Sequence, residues 1–411
     1  MQAPENYPLA GPKNSPRTVL AEGGFTADTE IMTTTGPVMA AELTSEDSVL
    51  ALNPTTRMVK PKEVVQVQTI HDVDEIIALE TRRCDFRLAP DHPFFYTTKA
   101  ISKVRKTTVA DLQQWFQRRF VNEWQPRSGT RLEEVDITDF VDDYEICAAS
   151  EDHGIAFRAA LPDDCTPIGS NSYKGCLFDP DTFTQYQSEI ESVADRTTIH
   201  SGSNSRRRPY RFEGDDFIEF LGWFIAEGSV SWTQSRDTPH IQLAQKDERH
   251  RPKIASLFER LGIKPSVTNN GFSFGSTVFG TMLDELCGHG SKNKRIPSFI
   301  WNVSSPQKQL LFETLMFGDG TDQRTYYTTS EELAGDVLRL SLELGSKPRY
   351  TKRGDMWRIF VSSNADGFRS GRNLDWEANS DPLYRVTIED FSLVMAGRNG
   401  KFQWVGASGI V

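Results

Sequence analysis

Leu221-Gly222-Trp223-Phe224-Ile225-Ala226-Glu227-Gly228 is an apolar run that closes on one acid and one glycine. Leu311-Phe312-Glu313-Thr314-Leu315-Met316-Phe317-Gly318-Asp319-Gly320 closes the same way. Burying a carboxylate is expensive unless something compensates it. Two such acids in one chain point to a shared compensator, most simply a metal ion. A lone Gly-Asp would read as an ordinary helix end; two copies in matching contexts read as a site. On a helix, Gly222 and Ala226 lie four apart and share a face, and Thr314 and Gly318 stand in the same relation to Asp319. Small residues there let two helices touch, which would set Glu227 and Asp319 side by side. Carboxylates that close repel unless a cation lies between them. Mg²⁺ (or Mn²⁺) takes carboxylate oxygens, and a metal so placed can activate water and clamp the oxygens of a phosphodiester.

The segments after the two acids also match. His240-Ile241-Gln242-Leu243-Ala244 reads as a strand, and Lys253 to Gly262 as a helix. In the second copy the strand is Arg324 to Thr329 and the helix Glu332 to Gly345. Leu-Gly-x-Lys-Pro closes both helices, with glycine suited to a left-handed cap and proline to a stop. Hairpins follow at Asn269-Asn270-Gly271 and Arg353-Gly354-Asp355. Both copies therefore run helix, strands, helix, strands. Their strands would form twisted sheets able to lie in a major groove, with Gln242, Gln245, Arg349, Thr351 and Arg358 as candidates to face DNA.

Charge is uneven along the chain. The net charge is −11, which speaks against a general nucleic-acid binder. Yet Arg206, Arg207, Arg208 and Arg211 cluster, Lys246 to Lys264 carries six cations against three acids, and Lys292, Lys294 and Arg295 follow with no acid among them. Local strips of this kind can track phosphates. No run of eighteen apolar residues suggests a membrane span, and Met1 to Glu22 lacks the pattern of a signal peptide. The five cysteines show neither zinc spacing nor a disulfide framework. A reducing, cytoplasmic or intracellular setting is expected, with no membrane partner.

Outside the repeat the pattern is β. Glu30–Thr35, Val38–Leu43, Asp47–Leu52, Glu63–Thr69, Ile76–Thr81 and Asp85–Ala89 are short strand candidates between turn signals. Leu383–Ile388, Leu393–Ala396 and Phe402–Val405 resume the pattern, the last two joined by an Asn-Gly turn. Val109 to Phe120 has helical spacing of Leu112, Trp115, Phe116 and Phe120. A repeat domain inserted in a split β domain is the economical reading.

The paired acid-ending runs resemble the signatures of LAGLIDADG homing endonucleases. The resemblance spans about residues 215 to 365. It implies that Glu227 and Asp319 bind Mg²⁺ and cut both strands of a long asymmetric double-stranded DNA site, and that Lys246, in Ala244-Gln245-Lys246-Asp247, assists, with Lys352 its weaker counterpart. The flanking segments resemble an intein, the Hint fold of protein splicing. Gly24-Phe25-Thr26-Ala27-Asp28-Thr29-Glu30-Ile31 looks like the start block, Leu88-Ala89-Pro90-Asp91-His92-Pro93 like the block with the activating histidine, Val386 to Asp390 like the penultimate block, and Asn399 to Ser408 like the end block. By this resemblance the splicing positions are Gly24, His92, Asp390, Ala407 and Ser408.

Splicing needs a thiol or hydroxyl to attack the preceding carbonyl, a histidine to polarise that amide, and a terminal amide side chain that cyclises. Gly24 has no nucleophile and Ala407 has no amide. Ala89, Phe391 and Gly406 also depart from the family pattern. The expectation is an unspliced precursor, either deliberately blocked or naturally dead.

The expected architecture is multidomain: an all-β, horseshoe-like Hint splicing domain split by an α+β pseudo-twofold endonuclease. The divisions are 1–23 flanking extein, 24–160 first Hint part, 161–210 linker or DNA-recognition insertion, 211–375 endonuclease, 376–407 second Hint part and 408–411 downstream extein. The host extein would be covalently attached, and the chain a monomer. Two alternatives remain: a DNA-binding protein with a decayed, non-cleaving endonuclease fold, and an autoproteolytic Hint domain.

Overall fold

The ends of the chain build one β domain together. The computed structural model describes residues 23–97, 104–112, 117–121, 129–140, 144–149, 155–159, 175–177, 197–201, 204–208, 211–232, 239–321, 324–362, 367–389 and 393–407. Phe25–Thr26 pairs with both Leu383–Ile388 and Asp85–Leu88. Glu30–Thr33 pairs with Leu393–Arg398, which returns as Lys401–Gly406. Val59–Ile70 bridges Ser48–Leu52 to Leu383–Ile388. Strands from both ends thus alternate across one sheet. Alternation of side chains along them sends Phe25, Ile31, Val49, Phe86, Phe94, Val386, Val394 and Val405 into one buried cluster.

The insertion is pseudo-symmetric. Helix Gly214–Glu227 packs along helix Ser305–Gly318. The first copy adds strands Gly228–Ser231, His240–Ala244 and Gly271–Gly275, and helix Arg251–Arg260. The second adds Gly320–Thr321, Thr325–Thr328, Lys347–Arg353 and Met356–Ser362, and helix Glu331–Glu343. Gly262 and Gly345 both take positive φ, +66° and +77°, so each Leu-Gly pair ends its helix in the left-handed conformation expected of it. Between the copies lies a further helix, Thr277–Cys287, capped by the Ser276 side chain.

Three expectations change. Gln117–Phe120 is a strand, paired with Pro93–Thr97 and Gly367–Arg369, so the expected helix from Val109 to Phe120 does not form there. Phe120 is buried against Phe94 and Phe368, and that tertiary packing overrides the helical spacing. The β domain also resumes earlier than residue 376, since Leu374–Ala378 pairs with Glu75–Glu80. It yields earlier than residue 160, since Glu134–Asp136 pairs with Arg211–Glu213 and Val135 and Ile137 join the core of the inserted domain. Asp390, Phe391 and Ser408, and flank residues 1–22, lie outside the described residues.

Candidate active site and splice junctions

The close helix contact rests on small side chains at equivalent positions. A Cβ on Gly222 would stand 2.7 Å from the Thr314 Cβ, and one on Gly318 would stand 2.4 Å from the Ala226 Cβ. Both distances are below any van der Waals contact, so both glycines are needed for the approach. The glycine after each acid has the same kind of constraint. A Cβ on Gly228 would meet the Phe224 carbonyl oxygen at 2.4 Å, and one on Gly320 the Met316 carbonyl oxygen at 2.3 Å. The acid-glycine ending is therefore a packing requirement, repeated in both copies.

This packing sets Glu227 and Asp319 at neighbouring helix C-termini. There the helix dipoles add negative potential, so the locus favours a cation. Burial raises the Glu227 carboxyl above its usual range. Burial first, and then the nearby Glu227, push Asp319 up to about 7; the Tyr326 phenol and Lys294 oppose that rise. Carboxylates that are desolvated and mutually repelling are the donor set a hard divalent cation would neutralise. Among the described residues, no group of three or more His, Cys, Asp or Glu is gathered, so the two carboxylates would be completed by waters or by DNA oxygens.

The basic and amide neighbours differ from the expected ones. Lys246 is exposed, whereas the preceding Gln245 is 5% exposed and donates from Nε2 to Glu227 Oε1 at 3.4 Å. Gln245 therefore lies with the acid pair and not on the exposed face of the sheet. Lys352 donates to Glu331 at 3.1 Å and lies over Trp357. The cation that reaches the site is Lys294, which is buried, donates to the Phe224 carbonyl at 3.1 Å and lies 3.7 Å from the centre of the Phe224 ring. Burial lowers its ammonium to about 8, against the pull of Cys287, Asp284 and Asp319. In the sequence it looked like one of three surface cations. Its neighbours do stay outside: Lys292 pairs with Asp355 at 2.8 Å and Arg295 lies 3.9 Å from Glu332. Only the burial separates them.

Of the expected DNA-facing residues, Gln242 points away from the core with Ser229 and Ser273, its register partners. Arg349 and Arg358 share the outward face of the second sheet with Phe360 and Thr351, and both guanidinium groups lie 4.7 Å from the Phe360 ring centre. Arg206, Arg207 and Arg208 sit on Asn204–Arg208, which pairs with Thr197–Ser201 and so extends the first sheet at its edge. Arg211 separates from them; it donates to Asp136 at 3.0 Å on another ladder.

At the far side of the β domain the two expected junctions meet on one ring. The Gly24 N–H donates to His92 Nδ1 at 3.1 Å, and His92 Nε2 lies 2.8 Å from the Gly406 carbonyl oxygen. An Nδ1 that accepts leaves the ring proton on Nε2 for that carbonyl. His92 is fully buried, and burial lowers it to about 4, so the ring is neutral at pH 7. Ala407, next to Gly406, is buried as well.

Residues 217–279 match the family model described as "LAGLIDADG-like domain". The match falls within the domain inserted between the two parts of the β domain. It is 25% identical over 176 residues to an ATP-dependent Clp protease proteolytic subunit from Chlamydomonas moewusii, covering 40% of this chain and 17% of that protein. It is 25% identical over 167 residues to a DNA polymerase from Thermococcus aggregans, covering 38% and 9%. The A subunit of a DNA gyrase from Mycobacterium gordonae is 31% identical over 99 residues, covering 22% and 18%. The chain thus spans less than a fifth of each of these relatives. Two solved inteins, the AceL NrdHF class 3 split intein and the Ssp DnaB mini-intein variant M86, are each 14% identical with a TM-score of 0.20; they cover 45% and 38% of this chain and 95% and 80% of their own. Among the described residues, no helix is long and apolar enough to cross a membrane.

Proposed function

We propose that the LAGLIDADG-like domain is a Mg²⁺-dependent endonuclease that cuts both strands of a specific DNA site, and that the intein fold around it is blocked from splicing at both junctions. The observation that carries the nuclease reading is the pair of half-buried acids, Glu227 and Asp319, at abutting helix ends. Mg²⁺ held by the two carboxylates would supply an activated water and stabilise charge on the phosphodiester. The chain's own residues do the rest. Gln245 holds the Glu227 carboxylate in place through its amide. Lys294 sets a positive charge beside Asp319, where negative charge develops on the scissile group. The outward faces of the two sheets offer Gln242, Arg349 and Arg358 to the groove and backbone.

The blocked-splicing reading rests on chemistry. Gly24 presents no thiol or hydroxyl to the Gly23 carbonyl, and Ala407 presents no amide to the following peptide bond. His92 still bridges the two junctions, so the scaffold outlasts the reactive groups. With splicing blocked, the host flanks would remain covalently attached to the intein.

The test is a plasmid carrying the host gene without its insertion, incubated with the full-length chain and Mg²⁺. Linearisation is expected, with Glu227→Gln or Asp319→Asn each lowering the rate at least ~100-fold, the scale of losing a group that acts in the transition state. Cutting that survives both substitutions would remove the acid pair from the mechanism. Binding without cutting in either Mg²⁺ or Mn²⁺ would instead identify a DNA-binding remnant.

A further inference from the structure

The outward face of the second sheet does not end at the edge of the inserted domain. Arg349 and Phe360 are register partners there, and at the end of the same ladder Lys347, itself buried, pairs with Ser362. The Lys347 ammonium donates to Gln403 of the β domain at 2.8 Å, and Arg83, also of the β domain, reaches Ser362 at 3.5 Å. One cleft is lined by Arg83, Arg324, Lys347 and Arg349. A second cleft begins at the same Arg83 and continues along Arg82, Arg369 and Arg372. No carboxylate occurs among the described residues that line either cleft. In a chain with 57 acids against 46 bases, an acid-free strip across two domains runs against the composition. Arg82, Arg369 and Arg372 are exposed, and all three lie on turns or short segments that converge where Thr81–Arg83 meets Gly367–Asn373.

We propose that duplex DNA leaving the second sheet runs onto the β domain, where Arg82, Arg83, Arg369 and Arg372 hold its phosphates. The inference rests on the nuclease reading and extends its footprint to the splicing fold. Exposed guanidinium groups suit phosphate oxygens, and they position the duplex without reading its sequence. The splicing fold would then be part of the DNA-binding surface, which gives a reason for it to persist after its own chemistry is lost.

The experiment uses the full-length chain in EDTA and a fluorescent duplex of random sequence, with affinity measured by anisotropy across a salt series. The triple substitution Arg82→Gln, Arg369→Gln and Arg372→Gln leaves Arg83 bonded to Ser362 and touches only exposed side chains, and a melting curve checks that it folds. Each phosphate contact contributes a slope of about −0.9 to log K against log salt. The triple variant should therefore lose about 2 to 3 from the wild-type slope and bind at least tenfold more weakly at low salt. Unchanged slope in a chain that still binds would overturn the extended footprint and leave the nuclease reading standing. Failure of the wild-type chain to bind any duplex would overturn both.

Discussion

Asp319 is held at the cost of its own ionisation. In an unfolded chain its carboxyl titrates near 3.8; in the fold, burial and the neighbouring Glu227 move it up to about 7. Between these values the folded state binds a proton that the unfolded state has released, so stability falls as pH rises from about 4 to about 7 and levels off above that. Removing the charge removes the slope. Without divalent ions, Asp319→Asn should melt higher than the wild type at about pH 7.5 and about equally at about pH 4, read as the urea midpoint at each pH. Adding Mg²⁺ at the higher pH should raise the wild-type midpoint through preferential binding to the folded state and leave the variant nearly unmoved. A variant that melts no higher than the wild type at that pH would mean the acid is not strained by its setting. At this scale the sequence was informative where a residue type is rare in its context, and silent elsewhere. An acid ending an apolar run twice marked Glu227 and Asp319. Nothing distinguished Lys294 from Lys292, or made Gln245 the inward partner instead of Lys246, because burial is a property of the assembled helices and not of the local string.

Among the elements, helices Ser305–Gly318 and Glu331–Glu343 share a charged contact that the sequence pattern conceals. Glu343 accepts from Lys308 at 2.8 Å and from Arg339 at 3.1 Å, and the three residues are 3%, 4% and 8% exposed respectively. Arg339 also stacks on Trp301 and reaches the Thr34 carbonyl of the β domain. A buried acid between two buried cations stabilises little in net terms, but removing it strands both cations. Glu343→Ala should cost about 3 to 5 kcal/mol by denaturant midpoint at constant m-value, more than a surface charge change of about 0.5 kcal/mol. A loss within the surface range would show that water reaches the triad. The helices and hairpins of the repeat were legible because glycine caps, apolar period and a second copy agreed. The segment Gln117–Phe120 was not. Its aromatic spacing fits a helix, and only pairing with strands distant in sequence, Pro93–Thr97 and Gly367–Arg369, makes it β.

Taken whole, the molecule is more continuous than a passenger within a host. The second sheet of the inserted domain joins the β domain through Arg349 and Lys401. Tyr350 donates its hydroxyl to Glu30, and the Glu30 carboxylate also accepts the Gly400 N–H at 2.9 Å. Lys401 begins the strand that ends at Gly406, whose carbonyl is held by His92. The C-terminal junction is thus anchored at one end by the inserted domain and at the other by the ring that also holds Gly24. That geometry makes restored splicing a demand on the whole chain. A side chain at 24 would bring its Cβ to 3.0 Å from the Leu383 Cβ, a contact that asks the leucine to give by a few tenths of an ångström. A side chain at 406 would meet the Pro93 carbonyl oxygen at 2.0 Å, so restoration should stop at positions 24 and 407. In Gly24→Cys combined with Ala407→Asn, the introduced thiolate attacks the Gly23 carbonyl and the peptide bond from Gly23 to residue 24 breaks, its nitrogen beside His92 Nδ1 leaving as the amine. The acyl group passes from sulfur to the Ser408 hydroxyl. The introduced amide nitrogen then closes on its own main-chain carbonyl, which cuts the bond to Ser408 and frees its amine to take the acyl group as a new peptide bond. Electrophoresis and mass measurement should show a product spanning residues 24–407. Gly24→Cys alone should release only the segment before residue 24, and only with added thiol. A double variant that stays a single full-length band, while melting like the parent chain, would mean that the scaffold around His92 has lost more than its two reactive ends.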